Sequence, residues 1–219
     1  MQLVNIDHSP YAARVRIQIR KKGLPITMTE SPVPRKTPAF LQAFPLAKIP
    51  LLALDNGDHL PESVAIMEYL EDSFPAPPLR PQEPLATARM RVLSCFTDTH
   101  LGPALAPLFR ALLLSDTGVD TGRQMDIVRN ELDKLDRWLA ADVPLSQRSL
   151  HLGDLVLAPT FWYVLALAQQ FGAADIAGGF ERVQSWWTQV NEDPEVSRAM
   201  GEMDTAFRAF TDTLQKPVP

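Results

Sequence analysis

Ser9-Pro10-Tyr11-Ala12-Ala13-Arg14-Val15-Arg16-Ile17-Gln18-Ile19-Arg20-Lys21-Lys22-Gly23 is the stretch on which the fold turns. Within it Val15, Ile17 and Ile19 alternate with Arg14, Arg16, Gln18 and Arg20, and a period of two reads as a strand. The ends read differently. Ser9 is a good N-cap, and Gly23 suits the residue just past a helix end. Pro10 suits the first helical position, where its fixed φ is already helical and its missing amide costs nothing. The end signals outrank the alternation, and a helix is expected.

Gln2-Leu3-Val4-Asn5-Ile6 on one side and Pro25 to Glu30 on the other read as short strands, which makes a β-α-β start. Residues 50–60, PLLALDNGDHL, carry two apolar runs around Asp55-Asn56-Gly57 and signal a hairpin. Residues 62–73 return to helical spacing through Val64, Met67, Tyr69 and Leu70. The expected order is β-α-β, a helix, a hairpin and a closing helix. That order is compatible with a thioredoxin-like layer, a small mixed sheet with helices on both faces.

Pro75, Pro77, Pro78, Pro81 and Pro84 then crowd a short segment in which neither a helix nor a central strand survives. The expected division is residues 1–76, a proline-rich linker at 77–84, and residues 85–219. After the linker the signals are helical: 84–115 as one helix or two, with Gly102, Pro103 and Pro107 as kink sites, then 118–141, 154–171, 176–191 and a short helix near 204–215. The fold class is therefore an α+β layer followed by an all-α part.

The bulk numbers agree with a globular chain. Of 219 residues 46% are hydrophobic and 21% charged, and 20 prolines stand against 10 glycines. Net charge is −5, with the first 76 residues neutral, so no basic field draws a nucleic acid. The single cysteine, Cys95, excludes an intramolecular disulfide and a cysteine-based zinc site, and it is expected to be a buried apolar residue. His8, His59, His100 and His151 show no metal-ligand spacing, and no metal is expected. MQLVNIDHSP has no apolar signal segment and no stretch approaches about 18 consecutive apolar residues, so a cytoplasmic protein without a membrane partner is expected.

Three pieces of the first 76 residues belong together. They are Ser9-Pro10-Tyr11 with Arg14-Val15-Arg16, then Phe44-Pro45-Leu46-Ala47-Lys48-Ile49-Pro50, then Glu62-Ser63-Val64-Ala65-Ile66. In this order and spacing the chain resembles the glutathione transferase superfamily over nearly its whole length, with serine-type tau and zeta classes as the nearest likeness. The resemblance implies a homodimer with glutathione as co-substrate. It implies that Ser9 is the catalytic residue, that Pro50 is a cis-proline beside the sulfur, and that the Ile49 backbone pairs with the cysteinyl unit. Glu62 would meet the α-ammonium, Ser63 and the helix start the α-carboxylate, and Lys36 and Lys48 the glycyl carboxylate.

The physics agrees. A free thiol of pKa about 8.5 is only ~3% thiolate at pH 7. A hydroxyl donating to the sulfur at a helix N-terminus favours the charged form. Thioredoxin-type redox chemistry needs a nucleophilic cysteine where this chain has Ser9, so protein-thiol catalysis is not expected. The electrophile, small and apolar, is expected between the two parts, against Tyr11 and the helix from His100 to Arg110, while Phe109 and Trp162 are expected in the core.

Two departures from the family pattern stand out. Phe44 replaces the usual asparagine, and His151 replaces the hydroxyl that caps the helix of Asp154, so His151→Ser is expected to stabilise. The expected function is glutathione transfer, a detoxification chemistry. A glutathione-dependent isomerase, dehalogenase or lyase is an alternative, and a non-catalytic binding module is another.

Overall fold

The computed structural model describes residues 1–35, 37–114 and 116–214. Its N-terminal layer holds β1 (Gln2–Val4), α1 (Pro10–Lys21), β2 (Thr27–Thr29), α2 (Pro38–Ala43), β3 (Leu51–Ala53), β4 (His59–Pro61) and α3 (Ser63–Ser73). The helical part holds α4 (Pro84–Phe96), α5 (Gly102–Leu114), α6 (Thr121–Ala140), α7 (Leu152–Gln170), α8 (Glu181–Val190) and α9 (Pro194–Leu214). The sheet order is β2-β1-β3-β4. β1 and β2 are parallel, a pairing that needs the crossover α1 supplies, and the other pairs are antiparallel with Leu3, Leu52 and Leu60 in register.

The quoted stretch is a helix. The Ala12 N–H donates to Ser9 Oγ at 3.3 Å, and Gly23 takes a φ of 61° just past the C-cap. The alternation that suggested a strand has another cause. Every residue from Ala12 to Ile19 is buried, because α1 is packed by α3, α7 and α9. Its polar positions are therefore not a solvent face, and each has a partner, as where Gln18 Nε2 donates to the Met67 carbonyl at 2.9 Å.

The expected helix over 84–115 is broken earlier than its glycine and prolines suggested. Thr97–Leu101 form a π-helical turn, in which Gly102 N–H reaches the Thr97 carbonyl five residues back. Pro107 lies inside α5 and Pro159 inside α7, each removing one donor from its ladder. The short helix expected near 204–215 begins ten residues sooner, at Pro194, where Asp193 Oδ1 accepts the N–H groups of Glu195 (3.1 Å) and Val196 (3.2 Å). Cys95 is exposed on α4, not buried.

Residues 74–83 form neither helix nor strand, yet they are held. Buried Lys22 pairs with buried Glu71 at 2.9 Å and donates to the Phe74 and Pro77 carbonyls, both at 2.7 Å. Glu71 Oε1 accepts the N–H groups of Leu79 (2.8 Å) and Arg80 (3.2 Å), and the Leu79 carbonyl accepts from Leu152 N at 2.9 Å. Phe44 turns inward against Phe40 and His59, each with ring centroids 5.1 Å away, so its departure from asparagine serves a small core beside β1.

α7 is long and apolar enough to cross a bilayer, with a mean hydropathy of 1.3, but 78% of that window is buried in the fold. His151 caps it and Asp154 completes a capping box. The buried Asp154 carboxylate also accepts from Arg148 at 2.6 and 2.9 Å and from Trp186 Nε1 at 2.9 Å. Burial alone would raise this carboxyl. The His151 ring and the Arg148 guanidinium outweigh it and hold the group well below the usual carboxylate range.

Candidate active site

A cavity of about 930 Å³ lies where the N-terminal layer meets α5 and α7. Ser9, Tyr11, Lys48, Ile49, Pro50, Glu62 and Ser63 all line it. Each reaches it for a local reason. Ser9 is the N-cap of α1, so its oxygen sits beside the free amides of the first turn. Lys48 and Ile49 follow Ala47, held at φ 54°, and the Ile49–Pro50 bond is cis. Glu62 precedes α3 with φ 65° and ψ 111°, a conformation that costs a non-glycine residue on the order of 1–3 kcal/mol. Lys36 lies outside the described residues.

His100 and Arg110 do not join the group. His100 is exposed, stacked on Phe96 with centroids 5.2 Å apart, and its Nδ1 lies 3.5 Å from Glu131 Oε2. Arg110 is exposed on α5 one position past Phe109, which lines the cavity instead. From the helical part the wall is built by Asp98, Phe109 and Tyr163. Phe109 is thus a wall residue rather than plain core, whereas Trp162 packs edge-on against Tyr163 and Phe207.

Arg14 is the residue that sequence reasoning missed. It is fully buried beneath the cavity floor, with Nη1 donating to Ser63 Oγ at 3.3 Å and to both Asp98 oxygens at 2.9 and 3.0 Å. Its guanidinium also lies 4.8 Å from the Tyr11 ring centroid. Because Ser63 Oγ accepts from Arg14, its own proton is left to donate outward. Asp98 comes from the π-helical turn, so the break in the α4–α5 helix supplies the counter-charge for this buried cation. The available signal was an arginine set among Ala12, Ala13 and Val15 near the start of the helix, which must find a partner when buried.

The remaining lining groups set the electrostatics. Burial first, then the Arg35 charge, pushes the His8 imidazole below its ordinary value. Burial pushes the Tyr11 and Tyr163 phenols up, so both stay protonated donors near neutral pH. Among the described residues no group of His, Cys, Asp and Glu could hold a metal ion.

Residues 3–78 match the family model "Glutathione S-transferase, N-terminal domain". A probable glutathione transferase of Aplysia californica is 37% identical over 83 residues, which are 38% of this chain and 89% of that one. Glutathione S-transferase U2 of Arabidopsis thaliana is 25% identical over 88% of this chain and 84% of its own. Two further curated relatives are matched over only 51% of their length. Among solved structures, a tau class glutathione S-transferase from mango, Mangifera indica, superposes with a TM-score of 0.79 at 21% identity, covering 97% of both chains. A maleylacetoacetate isomerase from Methylobacterium extorquens AM1, solved with bound malonate and GSH, gives 0.73 at 25% identity over 91% of this chain and 96% of that one. The chain belongs to the glutathione transferase superfamily, with that family's thioredoxin-like layer and helical second part.

Proposed function

We propose that the protein is a glutathione transferase that stabilises the glutathione thiolate for attack on a small apolar electrophile. The observation that carries this reading is that one cavity collects Ser9, Lys48, Ile49, Pro50, Glu62 and Ser63. Ser9 Oγ already accepts the Ala12 N–H, so its proton is available to a sulfur in the cavity. Ser63 Oγ, fixed by Arg14, and the free amides at the start of α3 suit the α-carboxylate. Glu62 suits the ammonium and Lys48 the glycyl carboxylate. The main chain of Ile49 offers the cysteinyl unit a strand-like partner. Phe109, Tyr163 and Leu41 give the rest of the cavity an apolar wall for the second substrate.

Calorimetric titration with glutathione and its S-alkyl derivatives tests binding before any electrophile is known. Ser9→Ala is expected to leave binding largely intact and to lower kcat/KM about ten- to a hundredfold, the value of one lost thiolate donor. Unchanged activity in that variant removes Ser9 from the reaction. A substrate panel with glutathione consumption monitored separates conjugation from isomerase, dehalogenase or lyase chemistry.

Leu85 and Val92 stand exposed on α4, and Leu46 in the turn after α2. We assign these exposed apolar side chains to a homodimer contact, which sedimentation at micromolar concentration checks. A cytoplasmic, detoxifying role accords with that reading.

A further inference from the structure

The segment Asn5–His8, which leaves β1 and delivers Ser9, has no strand or helix of its own, yet its carbonyls from Ile6 to His8 are all engaged. The Ile6 carbonyl accepts from Ser9 N at 3.0 Å and from Arg16 Nη1 at 3.3 Å. The Asp7 carbonyl accepts from Arg16 Nη2 at 3.0 Å. The last carbonyl, that of His8, accepts the Tyr163 hydroxyl at 2.5 Å.

Arg16 is local to the N-terminal layer, but Tyr163 is not. It comes from α7, 155 residues away, and is 2% exposed. The His8 ring is gripped as well, stacked on Phe210 of α9 with centroids 4.8 Å apart and planes 12° from parallel. Arg16 itself reaches the same helix, with Nε 3.4 Å from Glu202 Oε2. The helical part therefore holds the residue before Ser9 by its carbonyl and by its ring. Tyr163 also packs against Phe109 at 4.9 Å, and both line the cavity. One side chain thus touches the space for the second substrate and anchors the main chain that carries the hydroxyl for the first.

We infer that Tyr163 is a positioning residue for Ser9: its hydroxyl, bound to the His8 carbonyl, fixes the Ser9 hydroxyl at the distance from the sulfur that lowers the thiol pKa. This rests on the reading of Ser9 given above. Burial keeps the phenol protonated, so the bond persists over the working pH range. A tyrosine that only filled the core would contribute through its ring, and its oxygen would be dispensable for the thiol.

Tyr163→Phe removes that oxygen and keeps the ring contacts with Phe109 and Phe207. The thiolate of bound glutathione is followed by its ultraviolet absorbance as pH is varied. The thiol midpoint is expected to rise, so that below it the thiolate fraction falls about threefold to tenfold, the equivalent of one net hydrogen bond. Affinity for S-methyl glutathione, which has no thiol to ionise, is expected to change less than about twofold, within the spread of one neutral contact. In a Ser9→Ala background the same substitution is expected to move the midpoint no further, because the effect runs through Ser9. Amide exchange at residues 5–9 is expected to quicken in Tyr163→Phe with or without glutathione.

An unmoved midpoint, or an equal shift in the Ser9→Ala background, overturns the positioning role while leaving the transferase reading in place. Unchanged exchange at residues 5–9 overturns it even without glutathione. A wild-type protein that binds no glutathione, or binds it with an unshifted thiol, overturns the reading of Ser9 itself.

Discussion

Glu62 is held at φ 65°, where a side-chain-bearing residue is strained, and it sits on the cavity wall. Strain of this kind persists only where the surroundings over-determine it. Glu62→Gly is therefore expected to leave stability unchanged or raise it by about 1 kcal/mol, relief of strain offsetting the extra freedom of the unfolded glycine. The same change is expected to weaken glutathione binding at least tenfold. A clear loss in melting temperature would show that the native conformation costs nothing. His151 gives the opposite lesson. Sequence alone treats it as a poor substitute for a capping hydroxyl, which predicts that serine would stabilise. The ring is in fact 5% exposed, with Nδ1 2.9 Å from Asp154 Oδ2 and 3.3 Å from Asp154 N. Serine would only replace a cap that the ring already makes, and it leaves a void, so His151→Ser is now expected to cost about 1 kcal/mol in thermal or urea unfolding.

At the level of elements, Gly153 sets how close α4 and α7 can lie. A Cβ added there would meet the Met90 carbonyl at 2.6 Å. Gly153→Ala is expected to destabilise by about 1–3 kcal/mol, since main chain must move rather than a flexible side-chain end. A substitution neutral in unfolding would mean that the two helices slide apart freely. The elements themselves were unevenly legible. The ends of α1 were readable because Ser9, Pro10 and Gly23 act through local backbone geometry. The start of α9 carried the same kind of signal in Asp193-Pro194, but Gly201 inside the helix masked its continuity. The π-helical turn at Thr97–Leu101 runs directly into Gly102 and Pro103, which the sequence did mark as kink sites. What the sequence did not mark is the contact the turn makes: Asp98 meets Arg14, 84 residues away. The motif residues that line the cavity, Ser9, Lys48, Ile49, Pro50, Glu62 and Ser63, could be singled out because they form short ordered motifs. The far wall of the cavity was not, since Phe109 and His100 or Arg110 differ only by helical phase.

For the molecule as a whole, α1 is the shared core of both parts. Its buried Arg14 is completed by Asp98 and Thr160, and its Arg16 by Glu202, all beyond the linker. A chain ending at residue 76 would strip Arg14 of Asp98 and Thr160 and Arg16 of Glu202, taking away the carboxylates that balance Arg14 and help balance Arg16. Calorimetry is therefore expected to give one unfolding transition, and two resolved transitions would refute the shared core. The acid limb has a defined origin. Because the folded Asp154 carboxyl lies below its unfolded value of about 3.9, its stabilisation is complete above roughly pH 4 and is lost as pH falls towards the folded value. Asp154→Asn is expected to flatten that limb while lowering stability at neutral pH. The prolines after α3 invite a different use of the fold, the exchange of helical parts between relatives. Lys22 and Glu71 bind the main chain at Phe74, Pro77, Leu79 and Arg80. A chimera seamed between 76 and 77 would keep the clasp from one parent and draw three of those four partners from the other. The transferable unit is therefore bounded by that ion pair, and the workable crossover point lies downstream of Arg80.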